Sequence, residues 1–272
     1  MPHLLVTASA FVFSAALASQ PARQAPKAAT PRAAASPTPP QAAAPSPAPV
    51  PFGSGERATY NIAWSSMTAG TATLSIGAVR NARGLEAWIA RADATPSAAL
   101  SALYTLKYSA ESTFDARSLL PRLGLVDSLE GKRRRVRKMV FNHAGRKAQY
   151  SVTIGDTVSR SIDIASDSQD ILSVLYKIRT LPLAGGFRTT IPVCDNGRCY
   201  GLNIAVGEKS ALTTALGSIE AFKVVPSVAG ETGGPQALWL SADDRRLLLR
   251  AESTLPVGRI TIELATYAAG SQ

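Results

Sequence analysis

The chain contains few of the residues from which metal centres and most catalytic sites are built. Its 272 residues include only two cysteines and two histidines. A structural zinc site needs about four such ligands, so the sequence predicts no bound metal and no other cofactor. The P-loop, the G-x-S-x-G nucleophile elbow and the dinucleotide-binding glycine motif are also absent from the sequence. The absence of these residues and motifs disfavours the common enzyme classes and favours a protein that is not an enzyme.

The polar residues that remain fit structural roles better than catalytic ones. His143 lies in a turn between strands, where an imidazole is usually solvated, whereas a general base needs an orienting partner in a shielded site. Ser168 or Asp167 can cap a helical pattern, and Asp170 lies in its first turn, where a negative charge is favourable. Asp243 and Asp244 suit a hairpin turn. A hydrolase would instead require a buried carboxylate with a shifted pKa in a cleft.

The first residues have the pattern of a secretory signal peptide. Residues 4–18 are apolar and small, and they end in an A-L-A cleavage pattern at 16–18. About 15 apolar residues are too few to span a bilayer as a helix. No lysine or arginine precedes this run, which departs from the usual pattern. We expect residues 1–18 to be a signal peptide, and we therefore expect a periplasmic protein without a transmembrane anchor.

A proline-rich and alanine-rich stretch follows. Ten of the 18 prolines lie between residues 19 and 51, and no acidic residue occurs there. Such a segment cannot offset its ordering entropy by burial, so residues 19–55 are predicted to be a disordered linker. The linker is either a solvated spacer or an extended segment that lets the domain contact a partner in the cell envelope. Residues 56–272 are predicted to form a single β-rich periplasmic domain.

The formal net charge of +10 is concentrated in two places. Three of the excess cations lie in the linker and six lie between residues 132 and 138, so the rest of the chain is nearly neutral. Strand geometry would place Arg133, Arg135 and Arg137 on one face. They are either a charged strand end or edge strand that resists edge-to-edge pairing, or a contact for an anion or lipid headgroup. Nucleic acid is disfavoured, because the stripe follows an export signal and no aromatic residue is interleaved with it.

Alternating segments dominate the predicted domain. The clearest are residues 60–64, 72–76, 200–206 and 259–264, and turn residues separate some ten to thirteen such strands. Helical spacing occurs at residues 96–106 and, more strongly, at 168–180. This combination predicts an α+β fold that is mostly antiparallel β, with a curved sheet or open half-barrel wrapped over one or two helices.

The two cysteines flank a predicted hairpin turn. The N-G dipeptide at 196–197 favours a type I′ turn, which makes Asp195 and Arg198 a hydrogen-bonded pair. Cys194 and Cys199 then form the next, non-hydrogen-bonded pair, with Cα atoms about 4.5 Å apart. That distance suits a disulfide in an oxidising compartment. The spacing of four residues argues against a redox-active dithiol, which has two.

Four stretches in order resemble a bacterial family of domains of unknown function, numbered 3108. They are residues 60–74 (Y-x-I-x-W-x-x-M-x-A-G-x-A-x-L), 108–121 (Y-x-x-E-S-x-x-D, then L-P), 167–179 and 238–246 (L-W-L-S-x-D-x-R-R). One departure is Leu248, where such proteins often have proline. The resemblance covers about residues 56–267. It implies an exported envelope protein without a settled activity, and it brings no catalytic residues.

The predicted architecture is also similar to the half-barrels of the periplasmic lipoprotein carriers LolA and LolB. A curved sheet over a helix has a concave apolar face, and such faces commonly hold ligands. Such aromatic residues more often pack in a core, but five are candidates for lining the concave face: Trp64, Tyr104, Tyr108, Tyr176 and Trp239.

Two functions are consistent with these observations. The first is a periplasmic, non-enzymatic protein that binds a lipid or another hydrophobic molecule in its concave face, with Arg133, Arg135 and Arg137 contacting an anionic headgroup. The alternative is a protein–protein interaction or assembly module of the envelope that holds no small ligand.

Overall fold

The computed structural model describes residues 49–82, 84–229, 236–255 and 258–271. This part of the chain forms fourteen strands and two short helices, which exceeds the ten to thirteen strands predicted. The elements are β1 (Arg57–Trp64), β2 (Met67–Asn81), β3 (Gly84–Pro96), α1 (Ala98–Leu103), β4 (Leu106–Asp115), β5 (Pro121–Glu130), β6 (Arg133–Asn142), β7 (Lys147–Ile154), β8 (Asp156–Asp163), α2 (Ser173–Arg179), β9 (Arg188–Asp195), β10 (Arg198–Thr214), β11 (Gly217–Val228), β12 (Gln236–Ser241), β13 (Leu248–Leu255) and β14 (Gly258–Ala268).

All fourteen strands belong to one antiparallel sheet. Its order is β8-β7-β6-β5-β4-β3-β2-β1-β14-β13-β12-β11-β10-β9, so the first and last strands pair at its centre and β8 and β9 are its two edges. The connection from β8 to β9 carries α2, which lies against the inner face. The α+β prediction of a curved, open sheet with a helix is therefore confirmed. No helix in the described residues is long and apolar enough to cross a bilayer.

The internal helix α2 is shorter than its sequence pattern suggested. It begins at Ser173, not at residue 168. Just before it, the Asp170 carboxylate accepts hydrogen bonds from the backbone N–H groups of Leu172 and Ser173 at 2.9 and 2.8 Å. This is how a helix-capping side chain satisfies the free donors of a first turn. Leu175 and Ile178 are buried in the main hydrophobic cluster. Each such side chain stabilises the fold by about 1.5–3 kcal/mol.

The folded part begins a few residues before the predicted boundary at residue 56. Phe52 is buried, and its ring lies edge-on against those of Trp88 and Tyr176, at centroid distances of 5.3 and 5.0 Å. Glu56 forms a buried ion pair with Arg179 at 2.6 Å. Residues 52–56 therefore close one end of the curved sheet, which we call the Phe52 end. The predicted signal peptide and most of the predicted linker lie outside the described residues.

The opposite end of the sheet is called the α1 rim. Because neighbouring strands alternate in direction, this rim carries the β1–β2 turn at 65–66, helix α1, the β5–β6 turn at 131–132 and the β7–β8 turn at 155. Two backbone hydrogen bonds tie α1 to the rim, from Ser97 to the Ala69 carbonyl and from Gly131 to the Thr105 carbonyl, both 2.8 Å. The sequence predicted a helix at 96–106, and the observed helix is shorter at both ends.

The basic strand does not lie at an edge of the sheet. Strand β6 pairs with β5 on one side and β7 on the other, so the edge-strand interpretation of the arginines is wrong. Arg133, Arg135 and Arg137 do share one face, and Met139 and Phe141 continue it into the core. The cluster therefore points to the inner side of the sheet, near the α1 rim.

Candidate functional site

An apolar cavity lies between the inner face of the sheet and the α2 segment. Its volume is about 90 Å³. The walls come from strands β1–β4, β13 and β14 on one side and from the residues around α2 on the other; they include Tyr60, Ile62, Leu74, Leu175, Leu248 and Ile262. The wall is almost wholly hydrocarbon, so it offers a site for an apolar group and little for a polar one.

A second space adjoins the cavity on the side of the α1 rim. It measures about 30 Å³, and it shares Ile62, Ala94 and Tyr108 with the first cavity as walls. Tyr108 therefore stands between the two spaces. Burial raises the pKa of its hydroxyl to about 12, although the nearby Arg137 opposes this rise. The phenol stays neutral in this setting.

Polar groups mark the outer limit of the second space, which we call the mouth. Ser128 and Glu130 line it, and they stand opposite Arg135 and Arg133 in the pairing of β5 with β6. Burial raises the pKa of the Glu130 carboxyl, and Arg135 and Arg133 partly offset this. An apolar interior thus leads to a mouth with mixed but mainly positive charge.

The five predicted aromatic residues are not all brought together. Tyr108 lines both spaces, whereas none of the other four lines either of them in the described structure. Tyr176 is fully buried toward the Phe52 end, and Tyr104 packs over Gly131 at the rim. Trp64 packs against the main cluster near Gly258.

Trp239 faces away from the concave side. Its neighbours Leu238 and Leu240 point into the core, so alternation places the indole on the outer face. There Lys223 and Arg250 lie over the ring at 5.3 and 5.9 Å. The expectation that Trp239 lines the concave face is therefore incorrect. A cation on each side of an indole suits a stabilising cation–π contact on a strand surface.

The predicted disulfide is present. Cys194 and Cys199 are directly paired across β9 and β10, with Cα atoms 4.0 Å apart. Asn196 and Gly197 have φ of 52° and 73°, as a type I′ turn requires. A side chain at Gly197 would also collide with the Tyr150 ring, since an added Cβ would lie 2.6 Å from it.

The disulfide-bonded tip of the β9–β10 hairpin packs against strands β6 and β8, near the opposite edge of the sheet. Arg160 in β8 donates a hydrogen bond to the Gly197 carbonyl at 2.9 Å, and Arg137 in β6 donates to the Asn196 side chain. Arg137 also lies 3.7 Å from the Asp195 carboxylate, and both side chains are buried. The hairpin therefore brings the two edges of the sheet close together, although β8 and β9 are not paired as strands in the described structure.

Arg137 consequently differs from the two other arginines named as headgroup contacts. Its charge is taken up by Asp195 inside the protein. Arg133 is exposed and Arg135 is half-buried on the same face. Of the three, these two are placed to meet an anion that arrives at the mouth; that role stays a prediction.

Among the described residues, Asp170 is a buried carboxylate with a raised pKa, as the sequence criterion for a hydrolase requires. Burial raises its pKa, and the Ser112 hydroxyl and the Ser173 and Leu172 amides oppose that rise. Ser112 donates to Oδ2 at 2.5 Å, while Oδ1 accepts the two amides that cap α2. Both oxygens are thus engaged in holding the helix. Gly124 lies against the same carboxylate, where an added Cβ would be 3.1 Å away.

His143 is held by the backbone. Its Nδ1 lies 3.1 Å from the Ser166 carbonyl oxygen, its Nε2 lies 2.8 Å from that of Pro121, and its ring stacks on Phe141. The described residues contain no group of three or more histidine, cysteine, aspartate or glutamate side chains that could hold a metal ion.

Sequence patterns missed most of the cavity wall. Leu248 and Ile262 lie in strands β13 and β14, and they meet β1–β4 only because β14 pairs with β1. The alternation of residues 259–264 predicted an inward side chain for Ile262, but no local signal indicated which strands would face one another. The exposed surface of α1 was missed for a different reason: its helical spacing suggested a buried face.

The described structure is that of a curved, open antiparallel sheet with an internal helix and an apolar cavity. The sequence profile of the family described as "Protein of unknown function (DUF3108)" matches residues 59–265. The chain belongs to this family, as the four motifs indicated.

Solved structures resemble this fold at low sequence identity. A β-barrel-like protein of domain of unknown function DUF1849 from Brucella abortus matches over 81% of this chain and 100% of its own, with a TM-score of 0.59 and 9% identity. A DUF1089 family protein from Pseudomonas aeruginosa matches over 68% and 90%, with a TM-score of 0.36 and 14% identity. The first supports the fold alone. No curated protein matches the chain.

Proposed function

We propose that the protein is exported to the periplasm and acts there as a non-enzymatic binding protein for a lipid or another hydrophobic molecule. The observation that carries this proposal is the apolar cavity between β1–β4 and α2, which leads past Tyr108 to a mouth. The export itself rests on the sequence pattern of residues 1–18.

The cavity has room for part of a hydrocarbon chain. A water takes a share of about 30 Å³ in the liquid, so about 90 Å³ would hold on the order of three groups of that size. Complete ligand pockets are commonly 300–1,000 Å³. The ligand we expect therefore inserts one end and leaves its remainder in the mouth.

The exposed remainder would meet positive charge. Arg133 and Arg135 stand on the inner face beside the mouth, and a guanidinium group binds a phosphate or carboxylate through two parallel hydrogen bonds. The proposed ligand thus has an apolar chain and an anionic head.

A binding role without catalysis is supported by the state of Asp170. Its two oxygens accept hydrogen bonds from Ser112 and from the first turn of α2. Proton transfer to Asp170 would compete with these hydrogen bonds, which hold the first turn of α2 to the sheet.

The test is native mass spectrometry of the mature protein purified from the periplasm of its own host, followed by organic extraction. We expect a stoichiometric apolar or amphiphilic adduct. Ala94→Phe, which adds a ring to the wall shared by both spaces, should remove most of the adduct. The matched control is Ala205→Phe, because Ala205 alternates with the buried Ile204 and Val206 and therefore faces outward.

Two results would contradict the proposal. One is a clean apo mass for the wild-type protein together with no uptake of a fluorescent fatty acid. The other is equal loss of the adduct in Ala94→Phe and Ala205→Phe at unchanged thermal midpoints, which would place the ligand elsewhere.

One observation favours the alternative of an interaction module. Strand β8 is an edge strand whose residues are almost all exposed, and such edges can accept a strand from a partner. An apo mass combined with crosslinks from β8 to an envelope protein would support this second function.

A further inference from the structure

Helix α1 presents an apolar surface that the protein does not cover. The segment P-S-A-A-L-S-A-L-Y-T-L, residues 96–106, contains no charged residue. None of the helical residues is buried, and the Leu103 side chain is 85% exposed. A soluble helix normally turns its apolar side chains toward a core. Leu100 does so and packs against the main hydrophobic cluster, whereas Leu103 faces solvent.

The apolar surface continues along the α1 rim. Met67, at the start of β2 and next to the β1–β2 turn, is 61% exposed. The hydrogen bond from Ser97 to the Ala69 carbonyl holds the start of α1 against the same strand. Met67 and Leu103 therefore lie on the same rim of the sheet.

Positive charge adjoins this surface. The β5–β6 turn is fixed to the end of α1 by the Gly131 to Thr105 hydrogen bond and by the Tyr104 ring over Gly131. Residues 127–135 contain four cations and two carboxylates. One carboxylate, Asp127, is already paired with Arg134 at 2.5 Å, while Lys132 and Arg133 are exposed.

We propose that the α1 rim docks on a phospholipid bilayer that contains anionic lipid. Leu103 and Met67 enter the interfacial region, and Lys132 and Arg133 meet the lipid phosphates. Exposed apolar side chains next to basic ones are the combination that holds proteins at anionic membrane surfaces. This goes beyond the binding of a ligand, because it names the surface that the mouth faces.

Charge and size favour a bilayer over a protein partner. A helix of six residues is about 9 Å long, whereas a stable protein interface buries about 800 Å² on each side. A bilayer needs no matching shape, and its negative surface complements the excess of cations beside α1.

The experiment measures binding of the mature protein to vesicles by co-sedimentation. The vesicles contain phosphatidylcholine with or without about a third phosphatidylglycerol, in low and high salt. Wild-type protein should bind the anionic vesicles and lose binding as salt rises. Leu103→Asp should weaken binding about tenfold or more, and Lys132→Glu about fivefold or more.

Matched controls lie at the other end of the sheet. Leu216→Asp changes a leucine that is 48% exposed in the β10–β11 turn, and Arg80→Glu reverses an exposed charge near the β2–β3 turn. Both should bind vesicles within about twofold of the wild type, since neither lies at the rim. Thermal midpoints confirm that all four variants are folded.

The docking proposal fails if wild-type protein binds anionic vesicles no better than neutral ones. It also fails if the controls weaken binding as much as the rim variants, or if Leu103→Asp abolishes capture of a protein partner and leaves vesicle binding intact. Ligand retention is read separately by native mass spectrometry. Vesicle binding by a protein that carries no ligand would contradict the proposed function and would still support the docking surface.

Discussion

Asp170 joins the internal helix to the wall of the sheet. Its Oδ2 accepts a hydrogen bond from Ser112 in β4, and its Oδ1 caps α2. Both residues belong to the stretches that carry the family resemblance, and so does Arg179, which holds Glu56. These motif residues stabilise the scaffold. That is why the resemblance predicts the fold well and names no ligand.

A pH-dependent prediction follows for Asp170. Burial raises its pKa in the folded protein, so the folded state holds the proton more tightly than the unfolded state does. The contribution to stability is complete below the ordinary aspartate pKa, and it is lost as the pH rises to the raised value. Asp170→Asn cannot ionise. As the pH rises through that window, its stability should therefore increase relative to that of the wild type, and above the window the difference should stay constant.

Urea unfolding of both proteins from pH 3 to 7 measures this difference. Asp156→Asn is the control, because Asp156 is exposed in the edge strand β8. A constant difference between wild type and Asp170→Asn at every pH would contradict the assignment. Asp170→Ala should lose about 1 kcal/mol or more at all pH values, since the helix cap is gone.

At the scale of elements, the clasped hairpin connects the two edges of the sheet. The disulfide fixes the shape of its tip, whereas Arg137 and Arg160 fix its position on β6 and β8. Shape and position are thus supplied by different residues. The disulfide should contribute less to the free energy of unfolding than the contacts of Arg137, because a short disulfide loop restrains the unfolded chain little.

We predict that Asp195→Ala destabilises the protein more than Cys194→Ser with Cys199→Ser. Removing Asp195 leaves the buried Arg137 uncompensated, which typically costs about 3–5 kcal/mol. A disulfide that closes a loop of about six residues contributes about 2 kcal/mol at most. Urea unfolding under oxidising conditions measures both.

The control for this comparison is Asp127→Ala. It breaks the Arg134 pair, in which the arginine side chain is exposed, and such pairs contribute about 0–1 kcal/mol. If Asp195→Ala were as mild as Asp127→Ala, the position of the hairpin would have to depend on other contacts.

Local chemistry was predictable from the sequence, and packing between distant strands was not. The turn at 196–197 and the pairing of Cys194 with Cys199 depend on neighbouring residues only, so both were predicted correctly. The place of β6 inside the sheet depends on β7 and β8. The outward direction of Trp239 depends on the phase of its strand, which a short aromatic segment does not reveal.

On the scale of the whole molecule, the curved sheet is closed at one end by the chain that enters it. Phe52 packs between Trp88 and Tyr176, and Glu56 neutralises Arg179 beneath it. The sequence placed these residues in or beside a linker, because one phenylalanine among prolines gives no periodicity. Their role follows from long-range contacts with α2.

Truncation tests this closure. A chain that starts at residue 49 should unfold at the same temperature as one that starts at residue 19. One that starts at residue 57 loses the buried Phe52 ring, worth about 3–5 kcal/mol, and leaves Arg179 unpaired at a similar cost. These losses approach the total stability of a typical domain, so we expect no cooperative transition in circular dichroism. Equal midpoints for the two chains would show that the entering segment closes nothing.

Because the first strand pairs with the last, the sheet cannot be completed until the whole domain has been synthesised. Arg57 stands opposite Ala268 in the β1–β14 ladder, so the centre of the sheet joins the two ends of the domain. Contacts between such remote parts of a chain slow folding. A chain that arrives from its N-terminus must hold β1 as an unpaired edge until β14 emerges, and unpaired edges invite aggregation. The unpaired edge of β1 is therefore exposed to aggregation until the last strand has been synthesised.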